Sequence, residues 1–139
     1  MVNKSKYIAF SLVLLGIDQL IKYFFYTQPE RLGIFGYYLN ENFSWSLPVS
    51  NTVVIVLTVL SLLGIIYWRK KLFGPSMAWY LMAAGAVSNL IDRLARGGVV
   101  DYIFLPYGGI INLADLMILS GMAWIVLSSY GNRPNKPIN

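Results

Sequence analysis

The chain contains no cysteine and no histidine. Disulfides, thiolate nucleophiles, iron-sulfur ligands and lipid attachment to a cysteine of its own are thereby excluded, as are Ser/His triads and the usual zinc sites. Acid is scarce as well: there are six Asp and Glu against eleven Lys and Arg, and only 12% of the residues are charged where soluble domains carry roughly 25%. Chemistry is left to Asp, Glu, Lys, Ser, Tyr and Asn. The net charge of +5 could suggest nucleic acid, but the basic residues sit at segment ends and form no single patch or stripe, so nucleic acid is not expected as a partner.

What abounds is apolar surface, at 57% of 139 residues. Four stretches, about 7–26, 51–68, 76–92 and 112–130, approach the roughly 20 residues that cross a bilayer. The expected fold is an all-α membrane protein of four transmembrane helices, a single integral membrane domain over 1–130 followed by a polar tail over 131–139. The first stretch has the basic start of a signal peptide but no small-residue cleavage site, and Asp18 interrupts its far end, so it reads as an uncleaved helix. With four spans, Lys4, Lys6, Arg69, Lys70, Lys71, Arg133 and Lys136 share one side with both termini, which the positive-inside rule makes cytoplasmic. The longer connections, about 27–50 and 93–111, then face outward. In the first, residues 34–47 mix Tyr, Phe and Trp with Asn and Ser, which predicts a small extracytoplasmic β-like segment. In the second, Gly97/Gly98 and Gly108/Gly109 with Pro106 mark turns.

A charge at the centre of a membrane helix costs about 2.5 to 3.5 kcal/mol, so each intramembrane ionisable group needs a partner or a purpose. At 1.5 Å per residue, Asp18 and Lys22 stand roughly 18 and 24 Å above Lys6, at i, i+4 on one face. Asn89, Asp92 and Arg93 reach the same depth from the third span, and Asn112 and Asp115 descend into it from the start of the fourth. Asp101 is tethered to Asp115 by thirteen intervening residues. Convergence in one layer lets polar groups satisfy one another and share a water-filled pocket. Two carboxylates brought together share one proton, so that one activates water and the other protonates the carbonyl oxygen or leaving amine. Asp101 and Asp115 are the best-placed pair.

The run NLIDRLARGGVVDY from Asn89, followed by INLADLMI from Ile111 and preceded by Asp18-x-x-x-Lys22, resembles the signatures of bacterial lipoprotein signal peptidase, or signal peptidase II. The resemblance covers nearly the whole chain. It implies an aspartyl endopeptidase of the bacterial cytoplasmic (inner) membrane, without metal or cofactor, with its active site near the extracytoplasmic face; a site built within one chain permits a monomer, which is the expected state. The implied substrate is a prolipoprotein signal peptide, cut before a cysteine carrying diacylglycerol, with membrane lipid as the other partner. The family's dyad falls on Asp101 and Asp115, and its substrate-contacting residues on Asn89 and Arg93. Asn40 and Asn112 join the expected substrate-binding set. The family's Asn-x-Gly-x-Ala-Phe stretch appears here as Asn40, Glu41, Asn42, Phe43, Ser44 and Trp45, so Asn42 replaces the glycine. The compact connection between the acids implies a small extracytoplasmic lid.

Plainer roles stand beside these. Asn112-x-x-Asp115 has the form of a helix capping box, which would favour the Asp115 anion and leave the shared proton on Asp101. Asp18 with Lys22 reads as a structural ion pair whose lysine snorkels outward, and Asp92 joins them as a supporting residue. Arg96 reads as an interfacial anchor, the aromatics as a belt, and Ala83, Ala84, Gly85, Ala86 and Ser88 as a close-packing face. The rival functions are a small four-helix proton-coupled exporter with Asp18 as carrier, a Ser/Lys hydrolase using Ser88 and Lys22, and a noncatalytic scaffold.

Overall fold

A computed structural model describes residues 4–41, 49–72 and 76–131, with backbone alone at 69–72 and 131. Asn42, Phe43, Ser44 and Trp45, the side chains of Arg69, Lys70 and Lys71, and the tail beyond residue 131 lie outside the described residues. The described residues form four helices, α1 (Lys4–Thr27), α2 (Asn51–Leu72), α3 (Met77–Arg96) and α4 (Leu113–Gly131), and three strands, β1 (Phe35–Asn40), β2 (Val99–Phe104) and β3 (Ile110–Ile111). Among the described residues, α1, α2 and α4 are long and apolar enough to cross a membrane. The polar residues of α3 explain why it falls short: Ser88, Asn89, Asp92, Arg93 and Arg96 all lie in its last three turns.

β1 lies in the β-like segment expected after the first helix, whereas β2 and β3 correct the otherwise all-α expectation. The connection after α3, expected to be a string of turns, contributes β2 and β3, and β1 pairs antiparallel with β2 to complete a sheet in the order β1-β2-β3. Its glycines do make turns: Gly97, at φ +77°, ends α3, and Gly108 and Gly109 reverse the chain between β2 and β3. The run VVDYIF pairs on both sides, with Asp101 opposite Tyr38 and Ile103 opposite both Phe35 and Ile111. β-branched and aromatic residues suit such a strand, and pairing satisfies backbone groups that burial would otherwise leave orphaned.

Local chemistry sets the helix starts. The Ser76 hydroxyl accepts the Ala78 N–H at 3.3 Å, and Asn112 caps α4. α3 and α4 pack so closely that a methyl on Gly85 would overlap the Ala114 carbonyl, and one on Gly121 would meet the Ala78 carbonyl oxygen at 2.7 Å. Leu81, Ala84 and Met117 form the apolar core there, with Leu14 and Leu15 of α1 packed against them. By contrast Val56, Leu60, Leu63 and Ile66 of α2 are exposed, as suits surface that meets lipid. Above this core, at the ends of α1 and α3 and the start of α4, the interior turns polar.

Candidate active site

Alternation along β2 sends successive side chains to opposite faces. Asp101 faces a cavity of about 670 Å³, whereas Tyr102 turns the other way, towards α1. The cavity lies among α2, α3, α4 and the sheet; Asn40, Asn89, Arg93, Asp101 and Asp115 give it a polar end, and Val54, Leu57, Met82, Ile118 and Met122 give it apolar walls.

The two acids are held by amides. Asn40 Nδ2 donates to Asp101 Oδ2 at 3.0 Å, and Asn112 Nδ2 donates to Asp101 Oδ1 at 2.6 Å. Asn112 also forms the capping box with Asp115: its backbone N–H donates to Asp115 Oδ2 at 3.3 Å, while its Oδ1 accepts the Asp115 N–H at 2.9 Å. Asn89 Nδ2 donates to Asp115 Oδ1 at 2.8 Å. The helix cap is therefore the piece that links the two carboxylates. Of the four residues expected to touch substrate, Asn40, Asn89 and Arg93 line the cavity, whereas Asn112 is fully buried between the acids. Burial, reinforced by the neighbouring Asp115 carboxylate and only partly offset by the two asparagine donors, pushes the Asp101 carboxyl up to about 7.

A second polar cluster adjoins the first. Lys22 Nζ lies 2.8 Å from Asp18 Oδ2 and 3.2 Å from Asp92 Oδ2, with all three side chains fully buried. The lysine thus points inward, correcting the expectation that it snorkels. Four acceptors within reach, including Asn89 Oδ1 at 2.7 Å and Ser88 Oγ at 3.5 Å, hold it there. Arg96 is also more than an interfacial anchor, because its guanidinium pairs with Asp92 and lies 5.0 Å from the Tyr26 ring centroid. Asp92 Oδ2 further accepts the Val100 N–H at 3.1 Å, joining the end of α3 to β2. Arg93 sits in the electrostatic field of Asp101, Asp115 and Asp92, and its Nη1 donates to Asn51 Oδ1 of α2 at 3.1 Å.

Tyr102, Gln19 and Asn51 escaped the sequence reading, and Ser88 entered it only as a packing residue or a rival hydrolase's nucleophile. The Tyr102 hydroxyl donates to Asp18 Oδ1 at 2.8 Å and accepts the Leu113 N–H at 3.0 Å, and its ring stacks on Phe25. Ser88, read as a packing residue, donates to Asp18 Oδ2 at 2.6 Å and accepts from Gln19 Nε2 at 2.8 Å. Asn51 holds Arg93. Strand alternation would have separated Tyr102 from Asp101 had VVDYIF been read as a strand; Gln19, Ser88 and Asn51 carry no such signal.

A family model described as Signal peptidase (SPase) II matches residues 10–131. The chain belongs to the signal peptidase II family. Among curated relatives, the lipoprotein signal peptidase of Moorella thermoacetica is 32% identical over 94% of this chain and 99% of that relative. That of Rickettsia africae is 28% identical over 94% of this chain and 74% of its own length. A solved bacterial membrane enzyme, determined by the in meso method at 2.3 Å, superposes with a TM-score of 0.80 at 25% identity over 97% of this chain and 95% of that one. A second, at 1.9 Å, is 24% identical with a TM-score of 0.79 over 93% of this chain and 95% of that one, and speaks for the fold. As a signal peptidase II this is a protease, and with its apolar helices a multi-pass membrane protein.

Proposed function

We propose that this signal peptidase II cleaves prolipoproteins immediately before their diacylglyceryl-cysteine, using Asp101 and Asp115 as an aspartyl pair. The observation that carries the proposal is that both carboxylates line one cavity and are joined through Asn112. In this reading Asp115, at the positive end of the α4 dipole, is the base and Asp101 holds the proton. Asp115 takes a proton from water as the oxygen attacks the scissile carbonyl carbon, while Asp101 gives its proton to the carbonyl oxygen. When the tetrahedral intermediate collapses, the proton now on Asp115 goes to the leaving amine, and the hydroxyl proton returns to Asp101 as the carbonyl re-forms. The expulsion of substrate-free water by the apolar walls would strengthen each of these electrostatic contacts.

In this reading Asn40, Asn89 and Arg93 donate to peptide carbonyls, which their position in the cavity lining supports, and the apolar walls take the hydrophobic signal peptide and acyl chains. Asp18, Lys22 and Asp92 support the site from behind. All four helices cross the membrane in this proposal: the buried polar face of α3 is covered by α1 and α4, which offsets its lower hydropathy. The domain spans 1–130 with both termini and the 131–139 tail cytoplasmic, the active site near the extracytoplasmic face of the inner membrane, and one chain sufficient for activity. An exporter would need Asp18 open to a pathway, and a Ser/Lys hydrolase would need Ser88 open to substrate; both are fully buried. The test is incubation with a synthetic diacylated prolipoprotein peptide. Wild type should cut before the lipidated cysteine, while Asp101→Asn and Asp115→Asn insert and fold but leave the peptide uncut. Normal cleavage by either variant would overturn the assignment.

A further inference from the structure

We infer that Lys22 is a positioning residue for Asp115, acting through the side-chain amide of Asn89. The inference rests on the aspartyl reading above and extends it to a buried cation outside the cavity lining. An ammonium group donates three hydrogen bonds and accepts none, so a buried lysine dictates the polarity of whatever it touches. Lys22 Nζ has Asp18 Oδ2 at 2.8 Å, Asn89 Oδ1 at 2.7 Å and Asp92 Oδ2 at 3.2 Å around it. Because the Asn89 oxygen is engaged, its NH2 group must face the other way, where it meets Asp115 Oδ1 at 2.8 Å. An asparagine with no such neighbour could turn its oxygen towards the carboxylate or towards substrate. Here the cation fixes the amide with its donor on the acid, and polarises that donor as well.

Neutralising buried acid does not account for the lysine by itself. Asp92 already pairs with Arg96 and accepts the Val100 N–H, and Asp18 already accepts from Ser88, Tyr102 and the Ala114 N–H. The charged and titratable groups facing this pair are Asp18 from α1, Asp92, Arg93 and Arg96 from α3, Asp101 and Tyr102 from β2, and Asp115 from α4. A neutral donor at position 22 would leave most of this cluster bonded and remove only the charge behind Asn89.

The charge-balanced variant Asp18→Asn with Lys22→Gln tests this, since it deletes one acid and one base together while keeping an acceptor at position 18 and a donor at position 22. With the diacylated peptide as substrate, the acidic limb of the pH-rate profile should move up to about one unit upward, with kcat on that limb falling up to about tenfold and KM within about twofold, as expected when a general base loses a supporting charge. Asn89→Ala breaks the relay without touching the ion pairs, so it should move the same limb by a similar amount. Adding the charge-balanced change to Asn89→Ala should move it no further, because the two act in series. An acidic limb left in place by Asn89→Ala, or full additivity in the combined variant, would overturn the inference; Asn89→Ala decides the matter even where the double variant fails to insert. Activity retained by Asp115→Asn would instead sink the aspartyl reading, so the two failures are distinguishable.

Discussion

Two acid clusters lie side by side in this protein and are treated oppositely. Asp18 and Asp92 are fully buried and ion-paired with Lys22 and Arg96, so their charge is matched at the point of burial. Asp101 and Asp115 are bound by asparagine amides and the Asn112 backbone, and they face a cavity. An amide donor orients a carboxylate without tying its proton to a cation's, whereas an ion pair holds the charge in place. The difference teaches that charge depth alone does not mark a working acid in a membrane protein. What separates the clusters is whether the matching charge is already present.

The sharpest way to break the comparison is to neutralise each cluster in turn. Asp101→Asn or Asp115→Asn should reduce cleavage by on the order of 10³-fold or more while leaving the thermal midpoint in detergent near that of wild type, since an amide fills the same space. Asp92→Ala should do the reverse: stripping Lys22 and Arg96 of a shared partner should destabilise by about 3–5 kcal/mol, read as a large fall in that midpoint. Equal loss of stability in both experiments would erase the distinction.

Smaller effects sharpen it. Gly85→Val forces a side chain against the Ala114 carbonyl beneath the site, and should cost about 1–3 kcal/mol with activity falling in step. Asn112→Ala removes a cap worth about 0.5–2 kcal/mol together with the link between the acids, so activity should fall further than stability does. A separate effect is in pH. The folded protein holds the Asp101 proton up to about 7, well above the ordinary carboxylate range that the unfolded chain would show. That contribution to stability is fully present below about pH 4 and is lost as pH rises towards 7. Thermal midpoints measured across this window should decline for wild type, and Asp101→Asn should flatten the decline.

Helices were legible because their signals are local: apolar stretches, the Asn112 cap and the Gly97 turn each act within a few residues. The depth of the polar groups was legible too, since helix rise converts sequence distance into height. A β-like segment was legible at β1, but the sheet was not, because β1 and β2 pair across some 60 positions and the glycines around VVDYIF read as turns. The inward Lys22 was hidden for a related reason. Its i, i+4 spacing to Asp18 names one partner, but the acceptors that hold it inside, Asp92 and Asn89, belong to another helix.

From the sequence alone came the chemical repertoire, a chain without thiol or imidazole, rich in hydrocarbon, with its few acids bound for one layer. Composition and short-range spacing suffice for that. Only the tertiary structure decided which acids are matched by cations and which face open space. That depends on the azimuth at which α1, α3, α4 and β2 meet, and azimuth is set by the packing of small residues such as Gly85 and Gly121 against neighbouring backbone.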